Sequence, residues 1–169
     1  IDMPRMGYAL ELPKQYDNYT YYGRGPVNNY SDRKTGQFIE KYNQKLDDSY
    51  IVLPKPQAMG NREDVRWMSL TDNAGDGVLF RADSTFGCSA LPWSQLELMG
   101  ASHAYKLPKS SAVHVHLDAQ VRGLGGASCG PGPLLEDQVK STSRTFAFLI
   151  RPVTKNNEDE QGKVQTSGE

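Results

Sequence analysis

The chain has 169 residues, with 19 lysines and arginines against 20 aspartates and glutamates, and a formal net charge of −1 at pH 7. This length suits one domain with a real core, and the near-neutral charge gives no electrostatic basis for binding nucleic acid or an anionic membrane. No apolar run approaches the ~20 residues that span a bilayer. The 16 glycines and 10 prolines, with few long helical periods, predict an all-β domain of short strands and many loops.

Short runs rich in apolar and aromatic residues predict four strands in the first third of the chain, at residues 8–12, 19–22, 38–42 and 50–53. Pro13 ends the first of them, and the corner from Gly23 to Pro26 follows the second. Pro54 and Pro56 follow the fourth, which fits strand ends or edges rather than central strand positions.

A β-hairpin is the predicted central unit, between the turn signal at Gly60-Asn61 and Phe80. The run from Asp72 to Gly77 supplies a turn rich in residues that accept left-handed geometry. Apolar or long side chains point to both faces along residues 65–70, before this turn, which is typical of a strand in a sheet that is covered on both sides. This alternation predicts one face with Val65, Trp67 and Ser69 and another with Arg66, Met68 and Leu70.

The second half predicts a strand of small residues at 85–90, and Ser94 is placed as the N-cap of a short helix over residues 95–101. Residues 144–150 predict the last strand. From Thr154 the chain is polar and has no apolar periodicity, so we divide it into a domain at 1–153 and a disordered tail at 154–169.

Alternation across residues 113–118 places the valines and Leu117 on one face and the histidines on the other. His114 and His116 stand two apart, the spacing of some metal sites, and Asp118 shares their face. Spacing specifies no third ligand. A solvated or hydrogen-bonded strand face is therefore the favoured interpretation, and no metal site is predicted.

Neighbouring carboxylates are candidates for glycosidase catalysis, which needs two carboxylates ~5–9.5 Å apart across a sugar bond. The candidates are Asp47-Asp48, Glu63-Asp64 and Asp72. Adjacent carboxylates in a turn are usually solvated, and none of these lies in an apolar stretch that would raise its pKa. We predict no catalytic residue among them.

The glycine-rich loop at residues 123–133 is a candidate for function, because long irregular loops in compact domains are often functional. Neither Lys-Ser/Thr nor a helix follows it, which excludes a P-loop and a dinucleotide site. Ser128 and Cys129 lie in it without a GxSxG elbow, so no nucleophile is predicted there. The only other cysteine is Cys88, and two buried thiols are favoured over a disulfide.

Taken together, six segments resemble one known family in their order along the chain. They are MPRMGYALELP, YYGRGPVNNYSDR, PQAMGNREDVRWMSLTDNAGDGVLF, FGCSALPWSQLELMGASHAYKL, LDAQVRGLGGASCGPGP and FLIRP. The sequence is similar, over residues 2–152, to the C-terminal domain of family 2 glycoside hydrolases of β-galactosidase type, also called the β-galactosidase small chain.

The resemblance implies an antiparallel β-sandwich similar to the galactose mutarotase-like supersandwich. The family domain begins well upstream of the matched stretch, and the chain starts at Ile1 without a visible signal peptide. We therefore expect only the C-terminal part of that sandwich. Its uncovered sheet edges would favour a homo-oligomer or edge pairing.

The resemblance also implies a parent enzyme that hydrolyses terminal β-D-galactosides such as lactose with retention, using two glutamates in a TIM barrel. The barrel is not part of this chain, so we expect no hydrolase activity of the segment and no cofactor in it, with Mg²⁺ and Na⁺ in other domains. The expected partners are the barrel of the same polypeptide and the galactoside substrate, without nucleic acid or membrane. The compartment is left open between cytoplasm and periplasm of a bacterium.

In several family members the glycine-rich loop carries an aromatic residue that contacts the aglycone sugar. Here Cys129 stands at or beside that position, and Ala58 and Asn29 replace residues that are usually glutamate. The residues implied to line the substrate site are Gly125, Gly126, Ser128, Cys129 and Gly130. A further set is expected to hold loops and core together: Arg24, Asp32, Arg33, Asn61, Arg62, Arg66 and Trp67.

Two alternative functions, each from a different class of protein, stay open. A free-standing carbohydrate-binding module would present exposed aromatic side chains, for which the candidates are Tyr19, Tyr21, Tyr22 and Trp93. A mutarotase-like enzyme would need a histidine and a glutamate converging in one pocket, and spacing places no glutamate near the histidines.

Overall fold

A computed structural model describes residues 2–56, 58–126 and 129–155. In that part of the chain the strands are β1 (Asp2–Met3), β2 (Arg5–Pro13), β3 (Asn18–Gly25), β4 (Phe38–Lys45), β5 (Arg62–Thr71), β6 (Gly77–Leu91), β7 (Ala112–Val121), β8 (Val139–Lys140) and β9 (Phe148–Val153). The α-helix is α1 (Gln95–Gly100), and short 3-10 turns cover Leu46–Asp48, Ala104–Lys106 and Leu135–Asp137. Among these residues, no helix has the length and apolarity needed to cross a membrane.

Within the described ranges, seven strands form one sheet in the order β2-β7-β6-β5-β3-β4, with β9 paired to β6. β6 has 15 residues and changes partner along its length, because residues 77–82 pair with β9 and residues 87–91 pair with β7. The two-residue strands β1 and β8 form a separate small sheet. Every pairing is antiparallel, so the predicted all-β antiparallel fold is confirmed, and it is consistent with a β-sandwich.

The main core packs on the sheet face that carries Val113, Val115 and Leu117, as the alternation of β7 predicts. Its other fully or almost fully buried members come mainly from β3, β5 and β6: Tyr19, Tyr21, Val65, Met68, Leu70, Phe80, Phe86, Cys88 and Ala90. A smaller cluster of Trp67, Leu79 and Val153 packs separately from it. Both faces of the β5–β6 hairpin therefore bury apolar side chains.

The predicted central hairpin is confirmed as β5 and β6. Its turn is closed by Asp72, whose Oδ1 accepts the amide N–H groups of Ala74 at 2.9 Å and Asp76 at 3.0 Å. Gly75 has φ +88°, the left-handed geometry that glycine adopts without a Cβ penalty. The turn chemistry alone thus locates this hairpin.

The predicted face of Val65 is wrong. The register of β5 against β6 shifts on both sides of Val65, next to Asp64, which has φ +53°. Such an irregularity turns the following side chains to the other face. Val65 therefore packs in the main core with Met68, whereas Trp67 packs in the smaller cluster.

Helix α1 begins where the sequence predicts. The Ser94 side chain accepts the Glu97 amide N–H at 3.2 Å, and Glu97 Oε2 accepts the Ser94 amide N–H at 2.7 Å. This reciprocal pair is a capping box, which satisfies two amides that a helix start leaves unpaired. It fixes Glu97 beside the start of β7, where its Oε2 lies 3.9 Å from His114 Nε2.

Three strand predictions need correction. Residues 50–53 form no strand, and Ile51 is 64% exposed, because this apolar run pairs with no other described strand. The strand predicted at 144–150 is β9, which starts later, since Phe146 instead packs its ring near Tyr8 and Phe86. The stretch at 85–90 is the second half of β6 rather than a separate strand. Most of the predicted tail, residues 156–169, lies outside the described residues.

Candidate functional site

The glycine-rich loop leaves the end of β7 and is held by a side chain from far upstream in the sequence. Asp32 Oδ1 accepts the Leu124 amide N–H at 3.0 Å, and Asp32 Oδ2 accepts the Gly125 amide N–H at 2.7 Å. A carboxylate that accepts two backbone N–H groups forms strong, charge-assisted hydrogen bonds. The start of the loop is therefore fixed relative to the segment around Asp32.

Glycine is required at two positions of this loop. Gly125 has φ +59°, and a Cβ there would lie 2.6 Å from the Pro133 nitrogen. A Cβ on Gly123 would lie 2.7 Å from Asp32 Oδ2. The glycines thus allow the loop to fold back on itself and the Asp32 carboxylate to approach its backbone.

The structure brings together four of the five residues implied to line a substrate site: Gly125, Gly126, Cys129 and Gly130. The Gly126 amide donates to the Pro131 carbonyl at 2.9 Å, and the Cys129 amide donates to the Gly126 carbonyl at 3.0 Å. Ser128 lies outside the described residues. The substrate-binding role of these residues stays a prediction.

The two cysteines have opposite environments, and both are free thiols. Cys88 is fully buried, where its Sγ lies 3.2 Å from the Tyr19 hydroxyl, and burial raises its pKa to about 12. Cys129 is exposed in the glycine-rich loop. The prediction of two buried thiols is therefore confirmed for Cys88 and wrong for Cys129.

The segment that presents Asp32 is itself rigidly held. Tyr30 and Arg33 pair through their backbones, and Tyr30 is 4% exposed. Asn29 is fully buried, and its Oδ1 accepts the Glu63 amide N–H at 2.7 Å. Asn61 donates its side-chain N–H to the Asn29 carbonyl at 2.9 Å. The predicted structural roles of Asp32 and Asn61 are confirmed by these bonds.

Arg62 and Arg24, which are expected to hold loops and core together, both pair with groups of the protein itself. Arg62 is 1% exposed and donates to the Tyr21 hydroxyl and to carbonyl groups. Arg24 donates to Asp64, and Lys34 Nζ lies 3.0 Å from the same carboxylate. These two cations lower the pKa of Asp64 against the opposing effect of its partial burial.

One expectation about the acidic residues is wrong. Burial raises the pKa of Glu63, although Asn61 donates a hydrogen bond to it at 2.8 Å. The sequence places Glu63 in a polar run, and only the fold encloses it. The pKa of Glu63 is raised and the pKa of its neighbour Asp64 is lowered, because Asp64 is paired with the cations Arg24 and Lys34.

The histidine face of β7 forms a second polar region. The Nδ1 of His114 lies 3.9 Å from Glu11 Oε2 on β2, and its Nε2 lies 3.9 Å from Glu97 Oε2 on α1. His116 and Glu11 line the same cleft of about 320 Å³, together with Ala9 and Gln95. We call this the outer-face cleft. Sequence reasoning missed both glutamates, because neither strand pairing nor helix docking can be read from spacing.

The strand face continues past His116 to Asp118, which is fully buried. Its Oδ2 lies 3.6 Å from Arg5 Nη1. Burial raises the pKa of Asp118 to about 6, although Arg5 opposes that shift. Burial, with Arg5 and His114 nearby, lowers the pKa of His116 to about 4. Among the described residues, no group of three or more histidine, cysteine, aspartate or glutamate side chains is arranged to hold a metal ion.

The aromatic candidates for a sugar-stacking platform are largely enclosed. Tyr19 and Tyr21 are 0% exposed and pack against each other at 5.0 Å between ring centroids. Trp93 donates its Nε1–H to the Pro108 carbonyl at 2.8 Å and packs edge-on against Tyr50. Tyr19 and Tyr21 therefore cannot stack on a sugar, which disfavours a free-standing binding module that uses them.

Comparison with known proteins identifies the family. A family model described as "Beta galactosidase small chain" matches residues 1–150. The chain belongs to the β-galactosidase small chain family. It is 37% identical, over 90% of its length, to a protein of Priestia megaterium named "Beta-galactosidase".

Two further β-galactosidases match the chain at a similar level of identity. The chain is 37% identical over 73% of its length to a "Beta-galactosidase" of Lactobacillus delbrueckii subsp. bulgaricus, and 34% identical over 79% to "Beta-galactosidase BgaC" of Bifidobacterium adolescentis. It spans about 15% of the length of the Priestia megaterium protein, and 12% and 13% of the other two. The matched region is therefore a small part of much longer polypeptides.

Proposed function

We propose that this chain is an accessory domain of a β-galactosidase and that its glycine-rich loop forms part of the wall of a galactoside pocket. The parent enzyme hydrolyses terminal β-D-galactosides such as lactose with retention, and its two catalytic glutamates lie in a TIM-barrel domain of the same polypeptide. Family membership supports the role of the domain. The observation that carries the role of the loop is its two-point attachment to Asp32.

A pocket wall must hold its shape when substrate binds. The attachment to Asp32 fixes Leu124 and Gly125, and the internal bonds of Gly126 and Cys129 close the loop after them. Backbone groups and the exposed Cys129 thiol are then presented at one place. An aromatic residue is not needed for such a wall, although its absence would weaken stacking on the aglycone sugar.

The proposal assigns the chemistry to other parts of the polypeptide. Any Mg²⁺ or Na⁺ of the parent enzyme is proposed to lie in its other domains. Strands β2, β4 and β9 each pair on one side only in the described main sheet, and β4 carries Glu40, Lys41 and Lys45. Charged residues discourage pairing at an edge, so we place any homo-oligomer contact at β2 rather than β4.

Alkylation of Cys129 tests the role of the loop in the full-length polypeptide. Cys129 is exposed and Cys88 is fully buried, so within this domain a maleimide reaches only the loop. We expect a non-hydrolysable galactoside to slow that alkylation by about tenfold or more, and the alkylated enzyme to lose kcat/KM for lactose. The Cys129→Ala variant, treated in the same way, serves as the control, and the treatment should leave its activity at the value measured before treatment.

Two results would count against the proposal. An alkylation rate that does not respond to the galactoside would remove the loop from the pocket wall. Lactose hydrolysis by the 169-residue chain alone would contradict the assignment of the catalytic glutamates to another domain.

A further inference from the structure

We propose that Asp2 is a positioning residue for the glycine-rich loop, because its carboxylate bonds to the chain on both sides of that loop. The chain enters the loop through residues 120–122, which we call the entry limb, and leaves it through residues 134–140, the exit limb. Asp2 belongs to neither limb and clamps the two together. The inference rests on the proposed function, since a clamp on this loop affects substrate binding only if the loop forms part of the pocket wall.

The two carboxylate oxygens of Asp2 have partners in different limbs. Oδ2 accepts the Nε–H of Arg122 in the entry limb, and Oδ1 accepts the amide N–H of Val139 in the exit limb at 3.2 Å. The pairing of β1 with β8 places Asp2 at this point, because Met3 stands opposite Val139, which is fully buried. One side chain therefore sets the distance between two segments that the chain joins only through the loop.

The loop is narrow at the level of this clamp. The Arg122 amide donates to the Pro4 carbonyl at 3.0 Å, and the Gly123 amide donates to the Asp137 carbonyl of the exit limb at 2.9 Å. A Cβ on Gly123 would lie 2.9 Å from Asp137 Cβ, so the start of the loop touches the exit limb directly. A change in the separation of the limbs at Asp2 must therefore move the first residue of the loop.

Arg122 extends the effect of Asp2 into the loop itself. Its Nη2 lies 3.6 Å from the position that a Cβ would take on Gly132, in the returning half of the loop. The side chains of Arg122 and Asp2 are 33% and 28% exposed, so both are mostly shielded from water. An arginine side chain has many rotamers, and pairing with a carboxylate selects among them. Without Asp2, the guanidinium loses the partner that holds it beside Gly132.

The clamp and the Asp32 attachment act on different parts of the loop. Asp32 bonds to Leu124 and Gly125 and fixes the start of the loop, whereas Asp2 fixes the base to which both limbs belong. A displacement of the base also displaces the part of the loop where Cys129 is exposed. Such a change weakens binding of the substrate and of the transition state alike, which raises KM and leaves kcat unchanged.

The experiment measures kcat and KM for lactose in the full-length polypeptide that carries this domain. We expect Asp2→Ala to raise KM by about three- to fivefold at unchanged kcat, and Asp2→Glu, which keeps a carboxylate for Arg122, to recover most of the lost affinity. Arg122→Gln should raise KM by a similar factor, and the double variant should add little, because the two side chains act as one unit. The control is Asp17→Ala, which breaks an ion pair with Lys45 beside the start of β3 and should change neither constant.

Hydrogen exchange in the 169-residue chain tests whether Asp2 acts through the base of the loop. We expect Asp2→Ala to speed exchange at the Val139 amide, which loses its acceptor, and at the Gly123 amide, whose hydrogen bond joins the loop to the exit limb. The Leu124 amide keeps its bond to Asp32 and should exchange at the same rate as before.

The outcomes separate the clamp from the pocket wall. If a galactoside slows the alkylation of Cys129 while Asp2→Ala leaves KM unchanged, the loop forms the wall and the role of Asp2 is overturned, even if exchange at Gly123 becomes faster. A fall in kcat at unchanged KM overturns it as well. If the galactoside does not slow alkylation in the unaltered enzyme, the proposed function fails and the inference fails with it.

Discussion

Arg62 donates its Nε–H to the Tyr21 hydroxyl at 2.8 Å, and both side chains are buried, with 1% and 0% of their surface exposed. The guanidinium also donates to the carbonyls of Ser49 at 2.8 Å and Gly60 at 3.1 Å. Its charge is thus surrounded by neutral acceptors, and the Tyr21 ring lies 5.4 Å from its Cζ. One side chain therefore joins β3, β5 and the segment that precedes β5.

Replacing this arginine should destabilise the domain strongly. We expect Arg62→Lys to lower the free energy of unfolding by about 2–4 kcal/mol, because one ammonium cannot reach the hydroxyl and both carbonyl groups from a single position. Urea denaturation measures the change. The control is Arg66→Lys on the same strand, where the half-buried guanidinium lies over Tyr22, and its cost should stay below about 1 kcal/mol. Equal costs for the two variants would contradict the structural role of Arg62.

The glycine-rich loop offers a matched pair of glycine substitutions. Gly125→Ala should destabilise by about 1–2 kcal/mol, because a Cβ there has a left-handed φ and meets the Pro133 nitrogen. Gly126→Ala should be nearly neutral, since its Cβ would meet nothing closer than 3.6 Å. Thermal denaturation of both variants checks this difference. A larger loss for Gly126→Ala would show that the loop backbone differs from the one described.

The Asp32 attachment can be tested at the level of single amides. We expect Asp32→Ala to speed hydrogen exchange at Leu124 and Gly125 selectively, because each loses a charge-assisted hydrogen bond of about 1.5–3 kcal/mol. The exchange of the Val115 amide in the middle of β7 should stay the same, and Asp83→Ala on the surface of β6 should change neither loop amide. Unaltered exchange at Leu124 and Gly125 in Asp32→Ala would refute the attachment.

Asp118 should make stability depend on pH. Its pKa of about 6 in the folded chain exceeds the ordinary aspartate value of about 3.9, so the folded state favours the protonated carboxyl. Stability from this group is complete below about pH 4 and is lost as the pH rises through about 6, by an amount on the order of 3 kcal/mol. Arg5 and Glu63 face the same carboxyl, and Arg5 limits the loss.

The Asp118→Asn variant isolates this effect. We expect the variant to gain stability relative to the unaltered chain as the pH rises from 4 to 6, because it has no carboxyl to ionise. Subtracting the two unfolding curves removes the opposite contribution of His116, whose pKa of about 4 costs stability as the pH falls below 6.5. A difference that does not vary with pH would show that Asp118 is ionised at no cost in the fold.

Local sequence signals determined several elements because their causes are local. The capping box of Ser94 and Glu97 spans three residues and starts α1. The Asp72–Gly77 turn closes the hairpin with bonds that Asp72 makes to nearby amides. The alternation of residues 113–118 assigns one face to the core. The order of six longer segments was enough to indicate the family, which the comparison confirmed.

Only the tertiary structure decided features that depend on partners distant in sequence. Asp32 reaches Leu124 and Gly125, which lie 92 and 93 residues further along the chain. Glu11 and Glu97 converge on His114 because β2 pairs with β7 and α1 packs beside them. Strand pairing also shifted Val65 to another face and left residues 50–53 without a partner strand. The sequence alone thus determined local geometry and family membership. The burial of polar side chains, their pKa shifts, the Asp32 attachment of the glycine-rich loop and the outer-face cleft all come from long-range packing, which no short-range pattern encodes.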